Sequence, residues 1–452
     1  MIKKLESIEQ QVLKKISPTE QERKRIKKIV SELIKEIEQE IKKFDIKLSI
    51  ELVGSIVKDT YLKNNMDIDL FILFPVNVSR KKLQQTGLSI GRAILENQEE
   101  CFAEHPYVRG TFQAIKTEIV PCYCIASAEQ KISAVDRTPL HTKYIKKHLL
   151  QTQKKEVMLL KQFLRGIGCY GAGAEVEGFS GYLCEILIIK YGSFQKLIVN
   201  AQNWKYGHKI KFTDEKTPDF DTPLVFIDPV DSQRNVSSAV SEKKFNFFIK
   251  ACIEYVSKPS LTFFFPREIK PWPLKKIYNK IGKKQFIAVK IKKPSIISEN
   301  LYPQIRKSVR SITELCERYD FKILDYNFFI DKQDIYMILL PKKHKISQKK
   351  IHMGPPIKMK KNVKEFVNRW NNNRRTLNQP YEKNGRLYVE IKREYWDIEK
   401  LIEEQINNLS LGKHLDKIVK DNFDVIRNDE LIIEPLRIFW TEYLDEKMPW
   451  ER

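Results

Sequence analysis

The chain has 452 residues, 81 Lys plus Arg against 58 Asp plus Glu, and a formal net charge of +23 with a pI near 9.4. That basic excess predicts a polyanionic partner, and the length predicts several domains rather than one. An apolar run of ~18 residues and a signal-peptide pattern are both missing, which argues against a membrane-bound or secreted chain and leads to the expectation of a soluble, cytoplasmic protein with no membrane partner. Of the seven cysteines only Cys122 and Cys124 are close, and with no second pair or histidine partner they do not make a zinc site; the odd count suggests reduced, mostly buried thiols.

Ser17, Pro18 and Glu20 predict a helix N-terminus, with Ser17 as N-cap, Pro18 at the first position and Glu20 completing a capping box. Ile26, Ile29, Val30, Leu33, Ile34, Ile37 and Ile41 then recur at helical spacing, so this helix should cover one face of a sheet, its lysines being the wet side. Leu48, Ile50 and Leu52 alternate along a strand that Gly54-Ser55 breaks. Residues 56–62 read as a short helix and 67–74 as a second strand. Along that strand Asp67 and Asp69 share one face while Ile68, Leu70 and Ile72 point into a core. Two carboxylates so placed can chelate a divalent cation, and magnesium usually takes one or two carboxylates plus substrate phosphates. The Gly54-Ser55 turn would offer N–H groups to a triphosphate, with Lys58 adding a charge. A third carboxylate should come from a neighbouring strand. In residues 107–121, Ile115, Thr117 and Ile119 face one side and Lys116 and Glu118 the other, which makes Glu118 the candidate.

Further along, residues 142–163 read as one helical segment, 166–173 as a turn and 183–191 as a buried helix. Lys161 and Tyr170 thus fall in a second, mainly helical domain facing the first across a cleft, where a nucleotide should lie. Beyond Pro259 the pattern becomes a strand at 285–290, a helix at 303–319 and paired strands at 322–329 and 334–340, an α+β module. Residues 342–361 hold eight lysines and no acid, interrupted by Gly354-Pro355-Pro356; taken alone the run reads as a solvated loop. Phe366, Arg369, Trp370, Arg374 and Arg375 follow it. Together with Lys349, Lys350, Lys358, Lys360 and Lys361 they read as an RNA-contacting surface, in which phosphates supply affinity and rings supply stacking. A strand at 385–391 and a helix at 398–406 come last.

Val53-Gly54-Ser55, Asp67-Ile68-Asp69-Leu70-Phe71 and Ile119-Val120-Pro121-Cys122-Tyr123 resemble the class I, archaeal-type CCA-adding enzymes, tRNA nucleotidyltransferases of the polymerase-β superfamily. Residues 135–141 and 178–185, Asp228-Pro229-Val230-Asp231 with Arg234-Asn235-Val236, Gly354-Pro355-Pro356 and Lys392-Arg393-Glu394-Tyr395 agree in order and spacing, so the resemblance runs from about Ser17 to Tyr395. It implies an α+β multidomain fold: a polymerase-β-like nucleotidyltransferase head over 1–141, a mainly helical nucleotide-binding neck over 142–260, an α+β body from 261–300 and 386–452, and a projecting RNA-binding tail over 301–385. It implies Asp67, Asp69 and Glu118 as catalytic metal ligands, Gly54, Ser55 and Lys58 at the triphosphate, His141, Lys161 and Tyr170 as nucleotide contacts, and Arg234 as a reader of the incoming base. It further implies Mg²⁺, two ions, with CTP and ATP as substrates, tRNA held by its acceptor stem and T-arm end, and a homodimer. Two positions depart from the family pattern: Glu118 is one methylene longer than the usual aspartate, and Lys58 replaces a common arginine, turning a bidentate contact into a point charge. A poly(A) polymerase of the same superfamily, a non-catalytic RNA-binding protein on this scaffold and a primer-independent oligonucleotide synthetase stay open as alternatives.

Overall fold

A computed structural model describes residues 2–63, 65–102, 105–214 and 216–452. The chain forms two compact units, Met1–Glu268 with Lys447–Arg452, and Ile269–Glu446.

The first unit opens with a helix not anticipated from the sequence, α1 (Ile2–Ile16), whose Leu5, Ile8, Val12 and Ile16 are buried. Next comes α2 (Glu20–Ile41), which starts two residues later than expected. Its N-cap is Thr19, in a capping box with Glu22, because the Ser17 amide already closes α1 on the Leu13 carbonyl. Strand β1 (Ser49–Val53), helix α3 (Gly54–Lys58), β2 (Ile68–Phe74), α4 (Arg80–Ile94), β3 (Glu96–Phe102), β4 (Pro106–Phe112) and β5 (Ile115–Tyr123) follow. Helix α3 stops short of the expected residue 62 because Asp59 turns left-handed at its C-cap, φ 57°.

The strands form one sheet in the order β1-β2-β5-β4-β3, with β2 and β5 parallel and the other pairs antiparallel. Ile68, Leu70, Ile72 and Phe74 alternate inward against Ile26, Ile29, Leu33 and Ile37 of α2. The same alternation turns Asp69 to the opposite face.

The chain continues through α5 (Arg137–His148), α6 (Gln153–Gly166), α7 (Gly181–Tyr191), α8 (Phe194–Ala201), β6 (His208–Ile210), β7 (Leu224–Asp228), β8 (Asp231–Asn235) and α9 (Glu242–Ser257). The single helix expected over 142–163 is two. The backbone turns extended at Leu149, and the Gln153 side chain caps the Leu150 amide, so α6 starts afresh. Helix α5 also straddles the expected boundary at 141. This region is mainly helical around an aromatic core of Phe163, Phe194, Phe248, Tyr255 and Phe264, with a small β6-β7-β8 sheet at its side. Trp450 joins that core and donates its indole N–H to Glu254 at 2.6 Å. The last six residues therefore belong to the first unit and not to the body expected over 386–452.

In the second unit, α10 (Leu274–Ile281), β9 (Ile287–Lys292), α11 (Ser298–Arg318), β10 (Ile323–Ile330) and β11 (Asp334–Pro341) precede a small module of β12 (Lys349–Pro356), α12 (Lys360–Asn371), β13 (Tyr381–Lys383) and β14 (Arg386–Lys392). Helices α13 (Ile398–Gln405) and α14 (Leu415–Asp421), strand β15 (Asp424–Arg427) and helix α15 (Arg437–Leu444) complete it. The sheet β10-β11-β9-β15 is antiparallel throughout. Alternate residues of β9 and β11 face α11, α13 and α14 on one side and α10 and α15 on the other. A boundary at 300/301 would cut this sheet, so α11, β10 and β11 go with β9 and β15, and only the module of β12, β13, β14 and α12 has its own core.

Candidate active site

Val53, Asp69, Glu118, Arg109 and Glu99 stand in register across β1, β2, β5, β4 and β3. Parallel pairing thus makes Asp69 and Glu118 lateral neighbours on the face that α2 and α4 leave uncovered, while Asp67 sits just ahead of β2 rather than on it. Gly54 begins α3 at φ 74°, and a Cβ there would overlap the Asp69 carboxylate. Glycine is needed at this position both for its backbone angle and for the approach of Asp69. Burial, followed by the charges of Glu118 and Asp67, pushes the Asp69 carboxyl up to about 7.

Arg109, which the sequence reading passed over, donates from Nε to Glu118 Oε1 at 2.7 Å and from Nη2 to the Tyr107 hydroxyl at 3.0 Å. Among the described residues no three His, Cys, Asp or Glu side chains form a ready-made metal cage. The donor set nevertheless suits a hard divalent cation: all its atoms are carboxylate oxygens, and the ionised Asp69, disfavoured by burial and then by the charges of Glu118 and Asp67, is the form that a bound cation favours.

Lys58 lies at the end of α3, buried. Its Nζ is 2.6 Å from Glu185 Oε2, a carboxylate of α7. Lys161 Nζ, equally buried, donates to the Thr60 carbonyl and hydroxyl at 3.1 Å each and lies 3.5 Å from Glu185 Oε1. Tyr170 is half-buried beneath Arg165, whose guanidinium lies 5.0 Å from its ring centroid, and burial raises its phenol.

His141 from α5, Asp228 from the end of β7 and Arg234 from β8 converge. His141 Nε2 donates to Asp228 Oδ2 at 2.8 Å, Arg234 Nη1 donates to the same oxygen at 2.7 Å, and the Tyr182 hydroxyl donates to Oδ1 at 3.1 Å. Tyr182 also stacks on the His141 ring at 4.0 Å. Burial lowers the His141 pKa in spite of its carboxylate partner, so at neutral pH the charge facing Asp228 is that of Arg234. Burial acts to raise Asp228, but the bonds from His141 and Arg234 outweigh it and bring the carboxyl to about 2. Asp228 belongs to a segment noted in the sequence, yet its part as the anchor of both His141 and Arg234 was missed. The next acid, Asp231, accepts from Lys131 at 2.6 Å and Arg137 at 2.9 Å and so ties β8 to the segment leading into α5.

In the second unit the basic run is not a loop: residues 349–356 are strand β12 at the sheet edge. Phe366 and Trp370 do not face solvent as stacking rings. They are buried against Leu387, Val389 and Ile391. Lys350 is held by Asp320 at 2.6 Å and Arg375 by Glu394 at 3.1 Å, whereas Lys349, Lys358, Lys360, Lys361, Arg369 and Arg374 are exposed. Five cysteines are buried, Cys101 is half-buried and Cys124 is exposed, all unbridged. No helix among the described residues is long and apolar enough to cross a membrane.

A five-stranded sheet that sets Asp69 beside Glu118, with a glycine turn closing over them, defines a polymerase-β-like nucleotidyltransferase head. A nucleotidyltransferase-domain model matches residues 23–141, the second-domain model of tRNA nucleotidyltransferases matches 155–265, and the C-terminal-domain model of CCA-adding enzymes matches 283–428. The CCA-adding enzyme of Methanosarcina barkeri is 36% identical over 92% of this chain and 93% of its own length. Those of Archaeoglobus fulgidus (35%, over 96% and 97%) and Thermoplasma volcanium (37%, over 93% and 93%) are similar to the same extent. The chain belongs to the archaeal CCA-adding enzymes.

Proposed function

We propose that this protein adds C, C and A in turn to the 3′ end of immature or damaged tRNA, taking them from CTP and ATP without a nucleic-acid template. In each cycle the RNA 3′-oxygen forms a bond to the α-phosphorus, the bond to pyrophosphate breaks, and the hydroxyl proton passes to solvent. The observation that carries the reading is the Asp69–Glu118 pair, adjacent in register and repelling each other, in a chain similar along nearly its whole length to enzymes named for CCA addition.

Asp67, Asp69 and Glu118 would hold Mg²⁺, two ions, which when bound supply charge neutralisation for the triphosphate and acidify the RNA hydroxyl. The chain's own side chains do the rest by positioning. Ser55 and the backbone at Gly54 take the triphosphate, and Lys161 and Tyr170 approach it from the neck. Arg234, steadied by Asp228, is a donor for the base edge, and His141, fixed by the same carboxylate, packs beside it. Lys349, Lys358, Lys360, Lys361, Arg369 and Arg374 supply exposed cations for RNA phosphates, with the tRNA acceptor stem and T-arm end as the expected ligand. A cytoplasmic homodimer is the expected form of the enzyme.

The test is incorporation of labelled CTP and ATP, separately and together, into tRNA transcripts ending at the discriminator base, with Mg²⁺ and with EDTA. Metal-dependent addition of two C residues and then one A is expected, and Asp69→Ala should abolish it while leaving tRNA binding nearly intact. ATP-only extension would point instead to poly(A) synthesis, and tight tRNA binding without incorporation to a binding protein.

A further inference from the structure

Glu185 has no role in the reading above. It lies on α7 with its side chain 1% exposed, and both carboxylate oxygens are engaged by groups from distant parts of the chain. Oε2 takes the Lys58 ammonium at 2.6 Å, and Oε1 accepts from the Thr60 hydroxyl at 2.7 Å with Lys161 Nζ at 3.5 Å. Lys58 and Thr60 belong to α3 and the loop that leaves it, the segment that starts with Gly54 and Ser55. Lys161 is on α6, one of the helices of the neck. Burial would raise Glu185, yet the two ammonium groups hold it below the usual carboxylate range, so it faces them ionised.

Two buried ammonium groups share this one carboxylate, and Lys58 also feels the charge of Asp69. The geometry separates the two lysines. Lys58 has the short contact, while Lys161 is farther from the carboxylate and is steered by the two Thr60 oxygens. Moreover, a Cβ on Gly181 would come within 3.3 Å of the Tyr170 hydroxyl and 3.9 Å of Lys161 Nζ, so these two groups converge under the start of α7.

We propose that Glu185 is a positioning residue, one that holds Lys58 as a tie between α3 and α7 and, through Thr60, aims Lys161 as the cation that meets the triphosphate. This rests on the nucleotidyltransferase reading and sharpens it, because it removes Lys58 from the phosphate contacts. Lysine suits a tie: a single ammonium reaches one carboxylate oxygen, with no need of the bidentate fork of arginine.

The experiment measures CTP affinity by calorimetry with Mg²⁺ on the full chain, KM for CTP and for tRNA, and thermal stability, for Lys161→Met, Lys58→Met, Glu185→Gln and the double variant Lys58→Met/Glu185→Gln. Loss of a charged phosphate contact weakens binding by about tenfold or more, which is the expectation for Lys161→Met. Lys58→Met and Glu185→Gln should each raise the CTP Kd by a smaller factor with tRNA KM unchanged, and the double variant should be no worse than the poorer single, since all three cut one tie. Should Glu185→Gln fail to fold, Thr60→Val carries the test: it spares the Lys58–Glu185 pair, and the CTP Kd should rise with little change in melting temperature. The proposal is overturned if Lys58→Met matches Lys161→Met and adds to Glu185→Gln, which would make Lys58 a direct phosphate ligand. It is also overturned if Glu185→Gln or Thr60→Val alters only stability. Wild-type protein that binds no CTP would sink the nucleotidyltransferase reading itself.

Discussion

Asp228→Asn separates the anchoring of Arg234 from its mere presence. The wild-type carboxylate has no exposed side-chain surface and accepts from Arg234, His141, Tyr182 and the Val230 amide. Against burial, which acts to raise it, the bonds from His141, Arg234 and the Val230 amide bring its pKa from 3.8 to about 2. A depression of that size corresponds to roughly 2 kcal/mol favouring the folded, ionised form. Because the folded pKa lies below the unfolded one, this stability is fully present above pH 3.8 and is lost as the pH falls through about 2. Asparagine keeps the shape but carries no charge, and its amide nitrogen must take the place of one carboxylate oxygen and so face two of these four donors. The variant should therefore lose roughly 2 kcal/mol in urea unfolding at pH 7, followed by a near-ultraviolet signal from the first unit. The gap to wild type should narrow as pH drops from about 4 toward 2. Released from its carboxylate, Arg234 should read the base poorly, so that kcat/KM for the correct nucleotide falls about tenfold and the preference between CTP and ATP weakens at each step. Arg234→Ala should do the same, and the two changes together should not add. A variant as stable as wild type at pH 7, with its order of C and A addition intact, would show that Asp228 neither holds the fold nor aims Arg234.

Gly54→Ala should abolish nucleotide incorporation while the rest of the fold survives, because the new methyl overlaps Asp69 and the backbone is held at φ 74°; circular dichroism near that of wild type with no labelled product is the expected pair of results. Glu9→Gln should stabilise the protein at pH 8 by about 1 to 3 kcal/mol. Burial raises the Glu9 carboxyl from 4.5 to about 7, and its Oε1 has no hydrogen-bond partner. The folded state thus binds the proton more tightly than the unfolded chain, wild-type stability falls as pH rises from about 4.5 to about 7, and melts of the glutamine variant should lack that slope.

The catalytic face was legible because it depends on short-range rules. Alternation alone puts Asp69 opposite Ile68 and Leu70, and Glu118 opposite Thr117 and Ile119, and the structure keeps both assignments. What makes the two carboxylates neighbours is the parallel register of β2 with β5, and what places Arg109 on Glu118 is the register of β4 with β5. No local pattern encodes either register. Likewise Lys58 reads as a free cation after a glycine turn until α7 delivers Glu185, and Asp228 stands only as one residue of a segment shared with the family until α5 delivers His141. Residues that need a special backbone or a particular face are visible in the sequence, and partners brought from afar are not.

Phe366 and Trp370 show the same limit in the basic module of the second unit. Rings four residues apart among lysines and arginines satisfy two descriptions at once, a stacking surface for bases and the apolar stripe of an amphipathic helix. The lysines cannot decide between them, since a wet helix face is basic in either case. The decision lies in β14, where Leu387, Val389 and Ile391 alternate and need cover that only α12 supplies. His352 of the edge strand β12 packs on the same two rings, at 5.8 Å from Phe366 and 5.0 Å from Trp370, and completes that small core. With its rings turned inward, α12 presents Lys360, Lys361 and Arg369 to solvent. On the proposed function, contact between this helix and RNA would be electrostatic, so loss of these cations should reduce affinity together with its salt dependence while leaving base preference untouched.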